Sequence, residues 1–191
     1  MKNDFNIILP LNKSITGDFL TGIASTTSVD RDDERMSDEA LRMMVDDIKR
    51  QGVNLFSDHE HQWENTLGVI NQAELVNNQV QVGITLDDVS TNPKVPMLLN
   101  KLHKGIKLGL SVGGNVVSYK WEYSKELNKK IKVLDKVKIY EVSIVGIPSN
   151  PESFLTLPAA IAKSAGIHEL ICPLCFSPMI KSCGVCFYGT A

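Results

Sequence analysis

Ser111 stands within Gly109-Leu110-Ser111-Val112-Gly113-Gly114, a serine in an otherwise apolar, glycine-edged stretch. A nucleophilic serine needs a substrate carbonyl at close range and N–H groups aimed at the oxygen that gains charge. Glycines beside it give that room and those donors without side-chain obstruction, so Gly113 and Gly114 form the candidate oxyanion region. A strand serine bonded to nearby backbone, with the glycines marking a bulge, is the plainer alternative for the same residues.

A serine hydroxyl is a weak nucleophile until a neighbouring base takes its proton. The chain has four histidines, His59, His61, His103 and His168. His59 and His61 follow the apolar run Val53-Asn54-Leu55-Phe56, whereas His103 falls at the polar end of a helix and His168 in the tail. The base is therefore sought at His59 or His61. A spacing of two places both rings on one face of a strand. It also opens a rival reading, a metal-dependent hydrolase holding its ion with Asp58, His59 and His61, although no further cluster of ligands completes such a site.

Glu141 opens the run Glu141-Val142-Ser143-Ile144-Val145. An inward-facing carboxylate needs a partner, because an unpaired buried charge is costly. A histidine ring is a natural one, and orienting the base is the third role in a serine triad. Ser143, two residues on, shares that face. An exposed glutamate at a strand end is the simpler account of the same residue.

The elements that must position these groups read as mixed β with a few helices. Residues 5–11 and 18–25 are strand-like, and a charged loop follows at Val29–Arg35. Ser37 is a helix N-cap for a run in which Leu41, Met44, Val45 and Ile48 recur at three and four, ended by Gly52. Residues 67–75 and 79–86 pair around Asn77-Asn78 as a hairpin. Asn92-Pro93 opens a second helix with Val95, Leu98, Leu99 and Leu102 on one face. Residues 108–117 form the strand of Ser111, broken by its glycines. Residues 118–138 form a hairpin with a charged tip, and Tyr140–Ile147 a β run ended by Pro148-Ser149-Asn150-Pro151. A last helix spans roughly residues 158–165. With no alternation of strand and helix, a mainly antiparallel barrel or sandwich is expected. Residues 1–157 make one domain, long enough to fold without staples, and residues 158–191 a small tail.

Of the 191 residues 43% are hydrophobic and 22% charged, with a net charge of −2 spread along the chain. No basic stripe is available to neutralise a run of phosphates, so nucleic acid is not an expected partner. The apolar runs are too short for a membrane span, and Asp4 and Asn6 interrupt any signal-like segment, so a cytosolic chain is expected.

Taken in order, these segments resemble the caudoviral prohead proteases, whose fold is similar to that of the herpesvirus assemblins. The resemblance rests on Gly22-Ile23-Ala24-Ser25 before an acidic loop, a hydrophobic strand ending in a histidine, and Leu67-Gly68-Val69-Ile70. It continues through Leu110-Ser111-Val112-Gly113 and Glu141-Val142-Ser143-Ile144-Val145 with its Pro-Ser-Asn-Pro exit, covering roughly residues 5–157. It implies a serine endopeptidase with Ser111 as nucleophile, a histidine base and Glu141 as orienting acid; the base is expected at His59, which directly follows the strand residues, with His61 as the alternative. No cofactor is expected for catalysis. It further implies action in the host cytoplasm inside the assembling procapsid on scaffold and major capsid proteins, with self-cleavage and a homo-oligomer as further expectations; a non-enzymatic morphogenesis protein that keeps the fold as a scaffold-binding module is the alternative. Three features depart from the family pattern: two histidines at the strand end, no long charged scaffold segment after the protease, and a cysteine tail.

That tail holds all four cysteines, as Cys172-Pro173-Leu174-Cys175 and Cys183-Gly184-Val185-Cys186. Thiolates three apart in a tight turn present both sulfurs to one ion, so a structural zinc bound by Cys172, Cys175, Cys183 and Cys186 is expected. Reduced or redox-active cysteine pairs are the alternative.

Overall fold

The computed structural model describes residues 20–158. Strands 5–11, the helix near residues 158–165 and the four cysteines lie outside the described residues.

Eight strands form one curled sheet: β1 (Leu20–Thr26), β2 (Glu34–Met36), β3 (Val53–Ser57), β4 (Thr66–Val76), β5 (Gln79–Leu86), β6 (Gly109–Ser124), β7 (Lys129–Val145) and β8 (Leu155–Thr156). Two helices, α1 (Asp38–Gln51) and α2 (Lys94–His103), accompany them. The strand order is β2-β7-β3-β4-β5-β1-β8, with β6 on the other edge of β7. Most pairs are antiparallel, as expected, but β2 and β3 both run parallel to β7. α1 joins β2 to β3, which both lie along β7, and the crossover that a parallel pair needs in place of a tight turn runs through β4, β5, α2 and β6 before the chain reaches β7. The mainly antiparallel expectation holds, and the parallel pairs escape the sequence pattern because they join strands far apart in the chain.

The sheet curls so that its ends approach each other. Residues 153–156 lie between β1 and the start of β6: Ile23 N donates to Phe154 O at 3.1 Å, and Leu110 N donates to Ser153 O at 3.0 Å. A Cβ added at Gly22 would lie 2.8 Å from Leu110 Cδ1, which shows how closely the two strands approach there. The result is a half-barrel.

α1 begins where the sequence places it. Ser37 Oγ accepts from Ala40 N at 3.1 Å, Asp38 and Glu39 occupy the first turn, and Gly52 ends the helix at φ +67°. Its inner face of Leu41, Met44, Val45 and Ile48 joins Ile70, Val82, Ile84, Val137 and Ile139 in one core. The turn between β4 and β5 falls on Asn77 and Asn78, both left-handed (φ 49° and 61°), the conformation asparagine tolerates in two-residue hairpins. In α2, Val95, Leu98 and Leu99 are buried and Leu102 packs against the core. Among the described residues no helix is long and apolar enough to cross a membrane.

One buried polar contact locks α1 to the sheet. Asp47 is 8% exposed, and its Oδ2 accepts from Ile139 N on β7 at 3.1 Å. Removing the carboxylate leaves that buried N–H unpaired, which costs about 1–3 kcal/mol. Asp47→Ala is therefore expected to lower unfolding stability by that amount in a urea titration, without a change in the slope of the transition.

Candidate active site

β7 is the centre of the site. β6 pairs with it on one edge, setting Ser111 opposite Ser143 and Gly113 opposite Glu141. On the other edge β3 sets Asn54 beside Glu141 and Phe56 beside Ser143. Three strands distant in sequence thus bring the three singled-out groups to one face.

That face exists because of an irregularity in β7. Between Gly113 and Gly114 the register moves from Glu141 to Ile139, so Tyr140 is an extra residue on β7. A single extra residue reverses which alternate side chains point inward. Before it, Val137 and Ile139 face the core; after it, Val142 and Ile144 do. Glu141 and Ser143 are thereby turned to the opposite side, where they are nonetheless covered, at 4% and 0% exposure.

What covers them is the turn after β3. The strand ends at Ser57, and Asp58 and His59 adopt left-handed backbone with φ 50° and 58°. The expectation that His59 and His61 share the face of a strand is corrected here: both lie beyond the strand. Such backbone at non-glycine residues costs on the order of 1 kcal/mol or more and persists only where surroundings hold it. Asp58 N donates to Ile144 O at 2.9 Å, His59 N donates to Ser143 Oγ at 3.1 Å, and Glu60 N donates to Ser57 O at 3.0 Å.

The turn delivers the His59 ring between serine and glutamate. Its Nδ1 lies 2.7 Å from Glu141 Oε1 and its Nε2 lies 2.8 Å from Ser111 Oγ. An ionised carboxylate only accepts, so Nδ1 carries the proton and Nε2 is left to accept from the serine hydroxyl. Glu141 Oε2 accepts from Ser143 Oγ at 2.8 Å. His61 reaches only the edge of this chain: its Nε2 is 3.6 Å from Glu141 Oε1, and its ring packs edge-on to Phe56, with 5.5 Å between centroids. Among the described residues, His59 alone touches both Ser111 and Glu141. His103 ends α2 and makes none of these bonds, and His168 lies outside the described residues. The proposed metal set of Asp58, His59 and His61 is not assembled. Asp58 Oδ2 instead accepts from Ser57 Oγ at 3.3 Å, and the third group near the two rings is Glu141.

Three supporting residues are only half visible in sequence. Gly113 was singled out for its N–H, yet the structure gives it another reason: an added Cβ would sit 2.0 Å from Glu141 Oε1. Gly114 is packed as closely, its would-be Cβ 2.2 Å from Lys138 O. Gly113→Ala is expected to keep the fold, because the obstructed atom ends a side chain, while pushing the carboxylate off His59. A displacement of about 1 Å costs roughly 10²-fold in rate, measured as kcat on a peptide substrate with unfolding checked in parallel. Ser143 was noted as sharing the face of Glu141, but its second bond, to the backbone of His59, depends on a turn that no periodicity announces. Ser143→Ala removes both bonds at once. We expect kcat to fall roughly 10–100-fold with KM little changed, since neither bond involves substrate.

A hydroxyl, an imidazole and a carboxylate bonded in series on a β-rich body form the constellation of a serine hydrolase. The family described as caudovirus prohead serine protease matches residues 15–167, and the chain belongs to it. Membership makes the chain a serine peptidase of the capsid-maturation kind. No curated protein matches the chain.

Proposed function

We propose that this chain is an endopeptidase that trims scaffold and major capsid proteins inside the assembling procapsid, in the host cytoplasm, using Ser111 as nucleophile, His59 as base and Glu141 as orienting acid. The observation that carries the reading is the unbroken bonded series at 2.8 and 2.7 Å from Ser111 through His59 to Glu141. His59 Nε2 takes the hydroxyl proton as Ser111 Oγ attacks the peptide carbonyl. The resulting imidazolium is steadied by Glu141, and the same proton then passes to the leaving amine. Water repeats the sequence to release the acyl group. We assign the oxyanion to backbone N–H groups at Gly113 and Gly114, which carry no side chain to obstruct it.

A polypeptide suits the site better than a small ester. β6 bonds to β7 on one edge, and among the described residues its other edge meets only a single bridge, Gly109 to Phe154. An extended peptide adds to such an edge through main-chain hydrogen bonds, which would carry its scissile carbonyl alongside Ser111. Self-cleavage and assembly of copies of the chain belong to the same reading, as does a structural zinc on Cys172, Cys175, Cys183 and Cys186 that takes no part in catalysis.

Coexpression with the capsid and scaffold proteins of the same virus tests the reading. Shortened products should appear only when the chain is present, and a fluorophosphonate should block their formation while forming one adduct, at Ser111. Intact partners, or an adduct elsewhere, would remove it.

A further inference from the structure

We infer that His59, His61 and Glu141 form a binding site for a divalent transition cation of the zinc type, and that the ion switches the peptidase off. The switching half of this inference rests on the triad proposed above; the binding half does not.

One ligand atom from each of the three residues lies within 4.8 Å of the other two. The His59 Nδ1 to Glu141 Oε1 distance is 2.7 Å and the His61 Nε2 to Glu141 Oε1 distance is 3.6 Å. Two nitrogens or oxygens bound tetrahedrally to zinc at 2.0–2.2 Å stand about 3.3 Å apart, between the two observed spacings. Small rotations of exposed rings therefore convert the cluster into three sides of a tetrahedron. Two imidazoles and a carboxylate suit a borderline-soft ion, and solvent takes the fourth position.

The surroundings resemble a supported ligand set more than a chance meeting. Glu141 Oε2 is held by Ser143 Oγ at 2.8 Å, which fixes the plane in which Oε1 is presented. The His61 ring is braced by Phe56. Ligands held by such outer contacts keep their orientation without an ion and lose little freedom when one binds. The rings are the accessible part of the cluster, with His59 and His61 side chains 40% and 63% exposed, so an ion reaches them directly from solution.

Binding and catalysis exclude each other at one atom. The proton on His59 Nδ1, donated to Glu141, must leave to solvent for a metal–nitrogen bond to form there. The ion then occupies the electron pair of Oε1 that orients the imidazole, and its charge draws electron density away from Nε2, which no longer takes the Ser111 proton. His61 thereby acquires a role that the triad does not give it, as the ligand that turns a two-point contact into a three-point one. An enzyme that must stay silent until its substrates are assembled around it gains a reversible brake from such a site.

The test uses the full chain with its histidine rings labelled with nitrogen-15, which gives few signals because there are only four histidines. Zinc chloride is titrated into the Ser111→Ala protein while the rings are followed by NMR, and into the wild type while cleavage of a peptide substrate is followed. The His59 and His61 signals should shift together, and cleavage should fall over the same range of zinc concentration. In His61→Ala, with each rate divided by that variant's own zinc-free rate, half-inhibition should require at least ~10-fold more zinc. Unmoved His59 and His61 signals would overturn the binding site, and equal zinc sensitivity of the His61→Ala protein would overturn its role as the brake. Failure of the triad shows separately, as cleavage by Ser111→Ala, and leaves the NMR result standing.

Discussion

Ser111→Ala is expected to fold as the wild type does and to lose peptide cleavage by roughly 10⁴–10⁶-fold in kcat, the range over which removal of a serine nucleophile acts. The fold should not notice. Ser111 lies in a long strand whose backbone pairing with Ser143 does not depend on its side chain, and its hydroxyl bonds only to the His59 ring among the described residues. A partly exposed hydroxyl whose removal creates no cavity changes stability by less than about 0.5 kcal/mol. The chemistry has no substitute, because no other hydroxyl lies within bonding distance of His59 Nε2 in the described residues. Single-turnover cleavage and a thermal melt of the same preparation provide the check. A residual rate within a hundredfold of wild type, with an unchanged melt, would show that the nucleophile is elsewhere.

Glu141→Gln carries the second large effect, and its argument runs through a proton rather than a bond lost. Glutamine keeps the shape of glutamate but presents one oxygen and one NH₂ group where there were two oxygens. Ser143 Oγ, placed to donate at 2.8 Å to one carboxylate oxygen, selects the amide oxygen for itself. That turns the NH₂ group towards His59 Nδ1, 2.7 Å away in the parent. A donor there demands an acceptor, so the ring takes the tautomer with its proton on Nε2, facing Ser111, and the base is blocked. Substitutions that fix the wrong tautomer in this way lower kcat by about 10⁴-fold while leaving the geometry in place. Steady-state kinetics should show the loss in kcat rather than KM, and nitrogen-15 NMR of the ring should show the exchanged tautomer. A rate close to wild type would mean that Glu141 does not direct the imidazole.

Much of this site was legible because its chemistry sits on short local signals. Ser37 and Gly52 bracket α1 as the spacing of Leu41, Met44, Val45 and Ile48 requires, and Asn77-Asn78 turns the β4–β5 hairpin. A serine among glycines, a histidine ending an apolar strand and a glutamate opening another were each ambiguous alone. Their order along the chain made the family resemblance, which the family match supports. What stayed hidden is non-local or conformational. The parallel pairing of β3 with β7 leaves no trace in either strand's pattern, since the paired stretches, residues 54–57 and 141–144, mix polar and apolar side chains with nothing that marks the direction of a partner. The choice between His59 and His61 rests on a left-handed turn that neither Asp58 nor His59 advertises. Gly113 looked like a donor to an oxyanion, and its closeness to the Glu141 carboxylate becomes visible only when β6 and β7 are in register.

The extra residue at Tyr140 makes the strand brittle at that position and leaves the far tip of the arm tolerant of change. Around Lys125–Asn128, where the β6–β7 arm turns, residues can be gained or lost in matched numbers and the arm simply grows or shrinks. At Tyr140 the loss of a single residue shifts the phase of every side chain between it and the next irregularity. Val137 and Ile139 would then be presented to water while their polar neighbours were driven into oil. Length variation among related chains should therefore gather at the tip of this arm and stop short of position 140, a boundary drawn by alternation alone and not by the chemistry next to it.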